Sequence, residues 1–456
     1  MFFNDNSIFM KLNCMEMKEI VISLFFFLFC LELSGQTTIR EHEVRCYSTE
    51  YEKHLREKHS NRATTVEFES WINKKIDLQK NQLNKEERVA IITIPVVVHV
   101  IHNGDAYGEN ENIRDEQVFS QIQVLNDDFR RRINTAGYNT NPVGADVEIQ
   151  FCLAKTNPDG NLTNGIDRVD FGRVFFNKHA IENELKPRTI WNPEEYLNIW
   201  TCVFGDDLIN VQGYAQFPSS SGLSGLGVNE GIASTDGVVI GYNKFGSSVI
   251  FPEGVYNAPY DRGRTTTHEI GHWLGLYHIW GDNSDCTLNN DFCADTPVSL
   301  NPNRGCPKNV DSCPLDRGKD MVENYMDYTD DICMNIFTND QKKRIRTVLK
   351  NAERRRNLER STKCQEPNLI DEDFGMLSKI SIYPNPVNAE LTIAMPNEDE
   401  LPEAYVLLNS IGQEVAAKKD LKIEDLKLVV SHLTNGIYFL KVQKAGKKVT
   451  LKFVKK

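Results

Sequence analysis

At 456 residues the chain is longer than one ordinary domain, so two or three are expected. It is 40% hydrophobic and 25% charged, the composition of a soluble globular protein without extreme bias. A formal net charge of −12 excludes nucleic acid as an obvious partner; it suits a protein that binds cations or positively charged substrates, or one simply kept soluble by its acid.

The first element is Ile20–Cys30, a mostly apolar run preceded by Lys18 and followed by the small residues Ser34-Gly35. A basic start, a short apolar stretch and a small-residue exit predict a secretory signal peptide over 1–35, with Met15 or Met17 as alternative starts that would leave an upstream extension. The run is too short to span a membrane comfortably, and Cys30 lacks the small residues before it that a lipid anchor would want. No other long apolar run follows, so the mature protein is expected without a transmembrane segment. Residues 36–89 are highly charged, contain no glycine, and space Phe68, Trp71, Ile72 and Ile76 as a helix would. They read as a helical pro-segment with little strand, a flexible N-terminal linker being the plainer alternative.

Ala90–Ile101 is dense in β-branched residues and predicts a buried strand that opens a new domain. Helical spacing follows over Gln117–Phe129, and strands over Val147–Ala154, Tyr196–Phe204 and Asp236–Ile240. Thr265 to about Leu276 is a helix, and Asn339 to about Leu358 one long basic helix. Between them lies irregular, cysteine-rich chain. The expectation for 90–360 is an α/β catalytic domain with a mixed sheet, an active-site helix and a disulfide-stapled irregular subdomain. Residues 361–378 read as a linker. From 379 to 456 short alternating strands, including the hairpin Gly436–Val454, predict a small β-sandwich.

Export makes disulfides available. Of eleven cysteines, Cys14 and Cys30 leave with the leader and Cys46 stands alone before the strand at 90. The other eight are Cys152, Cys202, Cys286, Cys293, Cys306, Cys313, Cys333 and Cys364, five of them between 286 and 333. Eight cysteines allow 105 pairings, so connectivity stays open at this point.

The chemistry sits in His268-Glu-Ile-Gly-His272-Trp-Leu-Gly275-Leu-Tyr-His278. Two histidines four apart share one helix face, and Gly275 can take a positive φ that turns the chain so that His278 reaches the same ion. Three imidazoles leave a fourth position open, as a catalytic zinc requires. Glu269 is then placed to act as general base on the attacking water.

The pattern His-Glu-x-x-His-x-x-Gly-x-x-His is the metzincin signature. With Ile94–His99, Trp191–Pro193, Leu197–Trp200, Ala294–Pro297, Asn324–Tyr328 and Phe337-Thr-x-x-Gln341, the chain resembles the pappalysin family over roughly residues 90–355. The resemblance implies a secreted zinc metalloendopeptidase acting on protein substrates and made as a latent zymogen, with Met326 as the Met-turn beneath the metal. It implies that Tyr328 stabilises the tetrahedral intermediate, and that Asp331, with Asp330 as a rival, receives arginine (or lysine) after the scissile bond. It pairs Cys286 with Cys313 and Cys306 with Cys333, leaving the partners of Cys293 open. It implies calcium as a second ion, for which Asp291, Asp295 and Thr296 are the candidate ligands in a loop that also holds Asp282, Asp285, Asn289 and Asn290. Arg45-Cys46-Tyr47 resembles the cysteine switch of related zymogens, and activation by a cut before a basic residue such as Arg88 would follow.

Tyr383–Pro386, Asn435–Leu440 and the lysine-rich last strand resemble the sorting domain of the type IX secretion system of Bacteroidetes. That implies the secretion machinery as a partner, release outside the cell or at its surface, and removal of the module. A binding sandwich that stays on the enzyme is the alternative. A monomer is expected. A metal-dependent hydrolase of non-peptide substrates, and an inactive adhesin or binding protein on the same fold, are the competing functions.

Overall fold

The computed structural model describes residues 44–82, 90–218, 233–282, 285–287, 291–367, 380–395, 401–444 and 447–456. The expected signal peptide, Arg88, Asn289 and Asn290 lie outside these residues. Among the described residues no helix is long and apolar enough to cross a membrane.

The body is built on a seven-stranded sheet. Its strands are β1 (Val44–Cys46), β2 (Ile92–His102), β3 (Ile149–Leu153), β4 (Ile166–Asp170), β5 (Leu197–Cys202), β6 (Val211–Ala215) and β7 (Val238–Gly241). The order is β1-β6-β7-β5-β2-β3, with β4 also paired to β2. β6 runs antiparallel to β7, whereas β5 is parallel to β7 and β2, and β3 and β4 are parallel to β2. β2 and β5 are buried along almost their whole length, which is why they read as continuous apolar runs rather than alternating ones. The expected strands at 90, 147, 196 and 236 are all present. β4 and β6 were not anticipated: Ile-Asp-Arg-Val-Asp is largely polar, and Val-Gln-Gly-Tyr-Ala carries a glycine and one aromatic, too little pattern to betray a strand.

Segment 44–82 departs from the expectation in one respect. It is mostly helical, in α1 (Ser48–Lys58) and α2 (Thr65–Gln82), but opens with β1. Phe68, Trp71 and Ile72 are buried as the helical spacing required. Glu69 on the same helix makes a two-pronged ion pair, at 2.7 and 2.8 Å, with the buried Arg344.

Behind the sheet lie α3 (Asp115–Phe129) and α4 (Arg264–Trp273). All ten residues of α4 are buried, and it contains Thr265-Thr266-Thr267, a run that by intrinsic propensity disfavours a helix. Tertiary bonds override that preference. Thr265 Oγ1 donates to Gln212, Thr266 Oγ1 to Gln121, and Thr267 Oγ1 to Asp128. Arg264 also pairs with Asp128 at 3.0 Å. The helix ends at Trp273, three residues short of the expected boundary.

The single long helix expected at 339–358 is two pieces, α5 (Asn339–Asn351) and α6 (Arg355–Leu358). Thr338 and Gln341 form a capping box at the start of α5. The chain breaks at Ala352, and Arg354 takes φ 61°. The break turns Arg354 and Arg355 together onto the buried Asp236, which also accepts from Trp273 Nε1. Burial alone would raise the Asp236 pKa, but the two guanidinium groups outweigh it and hold the carboxyl well below its usual range.

Both disulfides implied by the resemblance, Cys286–Cys313 and Cys306–Cys333, are present. A third joins Cys152 to Cys364, so the residues read as the start of a linker are fixed to the body. Thr156 N and Oγ1 bond the carbonyls of Lys363 and Gln365, and Ser361 bonds that of Glu195. This bridge closes a loop 212 residues apart in sequence. Replacing Cys152 and Cys364 together by serine is expected to lower stability by about 2–5 kcal/mol. Denaturant unfolding would measure it, and an unchanged midpoint would show that the bridge constrains nothing.

The C-terminal module is a two-sheet sandwich, as expected. One sheet is ordered β11-β10-β13-β14 and the other β12-β9-β8. These strands are β8 (Ser381–Tyr383), β9 (Glu390–Ala394), β10 (Ala404–Asn409), β11 (Glu414–Lys419), β12 (Lys427–Val429), β13 (Gly436–Lys444) and β14 (Lys447–Lys455). The inward residues Leu391, Ile393, Leu407, Leu440, Val442 and Phe453 fill its core. β11 and β12 were not foreseen because most of their residues are exposed and neither carries an apolar run or a sustained alternation.

Candidate active site

α4 carries His268 and His272 on one face, and Gly275, at φ 89°, reverses the chain so that His278 returns to them. The three Nε2 atoms lie 3.1–3.2 Å apart. Each Nδ1 is engaged elsewhere: His268 with the Tyr325 carbonyl at 2.7 Å, His272 with that of Leu276 at 2.8 Å, and His278 with Asp282 at 2.8 Å. With Nδ1–H donating outward, three Nε2 lone pairs point at one another. Burial holds His268 and His272 neutral by lowering their pKa values, that of His272 to about 3. Such an arrangement is repulsive without a cation between the nitrogens. Bonds of about 2.0–2.1 Å to a tetrahedral zinc place neighbouring ligands about 3.3 Å apart, so the donor set fits that ion.

The fourth side of this cluster is taken by Cys46. Its Sγ joins the three imidazole nitrogens in a group spanning no more than 4.8 Å. The thiol is fully buried, and burial, then the neighbouring Glu269 carboxylate, pushes its pKa well up. Glu269 is fully buried as well; burial raises it to about 7 against the hydrogen bonds of Ser48 and Cys46. Its Oε2 accepts from Ser48 Oγ at 2.7 Å and from Cys46 Sγ at 3.3 Å.

Two more predicted residues converge here. The Tyr328 ring lies 5.0 Å from His278 and 5.7 Å from His268, and its hydroxyl donates to the Cys46 carbonyl at 3.3 Å. Asp331 is buried one residue beyond its rival Asp330, which is partly exposed. Asp331 Oδ1 takes Arg45 Nη2 at 2.8 Å, and Oδ2 takes the backbone N–H groups of Arg262 and Arg264. Arg45 also donates to the Thr329 carbonyl and lies over the Tyr260 ring. Met326 lies directly beneath α4: a Cβ on Gly271 would collide with its sulfur, so the helix has glycine where the methionine packs.

Sequence reasoning missed four contributors. Ser48 masks Glu269, Asp282 orients His278, Trp280 stacks on His278 at 4.3 Å, and Arg45 fills the Asp331 pocket. The sequence groups Asp282 with the acidic loop, although its place four residues after a ligand is a usable signal. Arg45 stands out in the sequence only as the neighbour of Cys46.

Two of the candidate calcium residues, Asp291 and Thr296, are in contact, and Asp295 is near enough to act on the Asp291 charge. Asp291 accepts from Thr296 Oγ1 and Cys293 N, and Asp295 from Asp340 N. Among the described residues, the only group of three or more His, Cys, Asp or Glu side chains spaced to hold a metal is the one at His268.

The pregnancy-associated plasma protein-A peptidase family matches residues 180–350, and a secretion system C-terminal sorting domain matches residues 381–456. Extracellular metalloproteases of Verticillium alfalfae and Arthroderma benhamiae are each 33% identical, covering 56% and 61% of this chain and 75% and 79% of their own. Mature mirolysin of Tannerella forsythia, solved with a cleaved peptide, is 42% identical with a TM-score of 0.51, covering 59% of this chain and 96% of its own. The chain is a pappalysin-family metallopeptidase. It is a secreted zinc endopeptidase carrying a type IX sorting tail, which sends it to the bacterial surface or beyond. A promirolysin mutant matches more of it than the mature enzyme does, 63% of the chain at 39% identity and a TM-score of 0.51, in keeping with synthesis as a zymogen.

Proposed function

We propose that the described chain is the latent form of an endopeptidase that cleaves before arginine, with residues 36–89 as pro-segment and 90–360 as catalytic domain. The observation that carries this is Arg45 seated on Asp331 while the adjacent Cys46 meets the three histidines. The pro-segment thus presents an arginine to the pocket that a substrate's arginine would enter, and a thiol to the metal. A carboxylate at the end of a buried, arginine-length slot selects guanidinium by charge-assisted hydrogen bonding.

His268, His272 and His278 would hold zinc, which when bound lowers the pKa of water and polarises a carbonyl. Glu269, freed of Ser48 and Cys46, takes the proton from the attacking water and returns it to the leaving amine. Tyr328, whose hydroxyl now meets the Cys46 carbonyl, donates to the oxyanion that develops on the substrate. Profiling cleavage sites of the activated enzyme on a proteome-derived peptide library tests the reading; cuts without arginine or lysine after the scissile bond would reject it.

Latency makes its own prediction. Cys46→Ala in a precursor whose activation cut is blocked should raise peptide hydrolysis at least about tenfold, since the fourth position opens to water. Equal, silent precursors would assign latency to the remaining contacts alone.

A calcium site in the 285–296 loop is proposed on narrower grounds. Asp291 is buried with its pKa pushed up to about 7 by desolvation, and Asp295 Oδ1 is buried without a hydrogen-bond partner. A cation there would relieve both. Calcium should then raise the melting temperature of the protein, and an unmoved transition would remove calcium from the account.

A further inference from the structure

Tyr51 lies one helical turn past Ser48 on α1 and is fully buried. Its ring stands edge-on to Tyr214 at 5.1 Å, with the Lys186 ammonium 5.1 Å from the ring centre. Its hydroxyl donates to Glu182 Oε2. Glu182 Oε1 is meanwhile held by Tyr214 OH and Lys186 Nζ, each at 2.6 Å. The surrounding apolar wall includes Phe176, Trp200 and Leu208. None of these wall side chains belongs to segment 44–82: Glu182 and Lys186 lie in the helical stretch 178–189, Trp200 on β5, Tyr214 on β6, and Phe176 and Leu208 in the connections, so the walls stay with the body when that segment leaves.

We propose that the cavity filled by Tyr51 is a second specificity pocket of the activated enzyme, taking a tyrosine of the protein substrate on the N-terminal side of the scissile bond. The inference rests on the reading of Asp331 as the pocket for the residue after that bond. Arg45 and Tyr51 lie to either side of Cys46 in the sequence, so if the first fills a substrate pocket beyond the metal, the second fills one before it. The path between them is already a peptide-binding edge. Tyr47 N donates to Gly213 O, and Ala215 N donates to Ser48 Oγ, so β6 offers its outer edge to an extended chain.

Three observations choose tyrosine over other side chains. An aromatic ring satisfies the edge-on Tyr214 contact and the cation above it. Glu182, with Tyr51 gone, is one donor short in a mostly apolar cavity, which a phenol restores and phenylalanine does not. An arginine would bring a second cation beside Lys186, which already balances the carboxylate. Glu182 is also carried on a π-helical turn, Ile181–Leu185, a costly local geometry found most often at functional sites. A buried Lys–Glu pair that served packing alone would be no better than an apolar pair of the same volume.

The test uses the activated enzyme and peptides with arginine after the scissile bond, placing tyrosine, phenylalanine or alanine at each preceding position in turn. At one position tyrosine should raise kcat/KM at least about tenfold over phenylalanine, because the pocket is built to pair a hydroxyl. Glu182→Ala, which removes the acceptor, should collapse that ratio. Equal rates for tyrosine and phenylalanine at every position overturn the inference while leaving the arginine pocket standing, as does a ratio that survives Glu182→Ala. Should that variant not fold, the tyrosine-to-phenylalanine ratio of the unaltered enzyme decides the matter. Cleavage indifferent to arginine would instead sink the reading on which the inference rests.

Discussion

Replacing Glu269 by glutamine is expected to lower kcat by roughly 10²–10⁴-fold, the ordinary worth of a positioned general base. The two side chains have nearly the same shape, so the amide can still accept from Ser48 through its oxygen. The three histidines keep their Nδ1 partners, none of which is Glu269, and zinc content should stay near one per chain by metal analysis. Only the capacity to take up a proton is lost. A precursor that depends on its own cut would accumulate uncut, which gel analysis reads directly. A variant within tenfold of the parent on a synthetic peptide would place the base elsewhere.

The second large effect is expected from Asp331→Asn. One Asp331 oxygen meets Arg45, and the other holds the N–H groups of Arg262 and Arg264 where the chain enters α4. Asparagine can keep its oxygen on the backbone pair and turn its amide toward the pocket, preserving the entry to the helix while removing the charge. A guanidinium desolvated in that pocket without its counterion loses about 3–5 kcal/mol, or roughly 10²–10⁴-fold in kcat/KM. The loss should be confined to peptides with arginine after the scissile bond, with glutamine or methionine peptides little changed. A uniform loss across all peptides would show a damaged fold rather than an emptied pocket. The same substitution should loosen the pro-segment, so a precursor carrying it should gain hydrolysis of those neutral peptides.

The metal centre was legible because its spacing is local: two histidines one turn apart, a glycine able to take positive φ, and a third histidine three residues on. Nothing beyond eleven consecutive positions was needed. The sheet's central strands were equally plain, since burial on both faces leaves an unbroken apolar run. What escaped depends on partners distant in sequence. Cys152 and Cys364 are joined across 212 residues, and no pattern near either announces the other. Ser48 reaches Glu269 across 221 residues, and Arg45 reaches Asp331 across 286. The break between α5 and α6 hid for the same reason: Arg354 and Arg355 read as ordinary helix until the buried Asp236 supplies a reason to turn. Calcium is the reverse case: the acids are local in sequence, but among the described residues no three of them are spaced to hold a metal by themselves.

All three disulfides lie between Cys152 and Cys364, so none among the described residues fastens segment 44–82 to the rest. While the chain is intact, Cys46 faces the metal site at an effective concentration on the order of millimolar, set by the tether alone. If Cys46 caps the metal as proposed, one cut between residues 82 and 92 turns that tethered ligand into a free peptide, no more concentrated than the enzyme itself. Dilution then completes what cleavage begins. Activation would run fastest in open medium and slowest in a crowded space, such as the compartment the protein must cross before it leaves the cell.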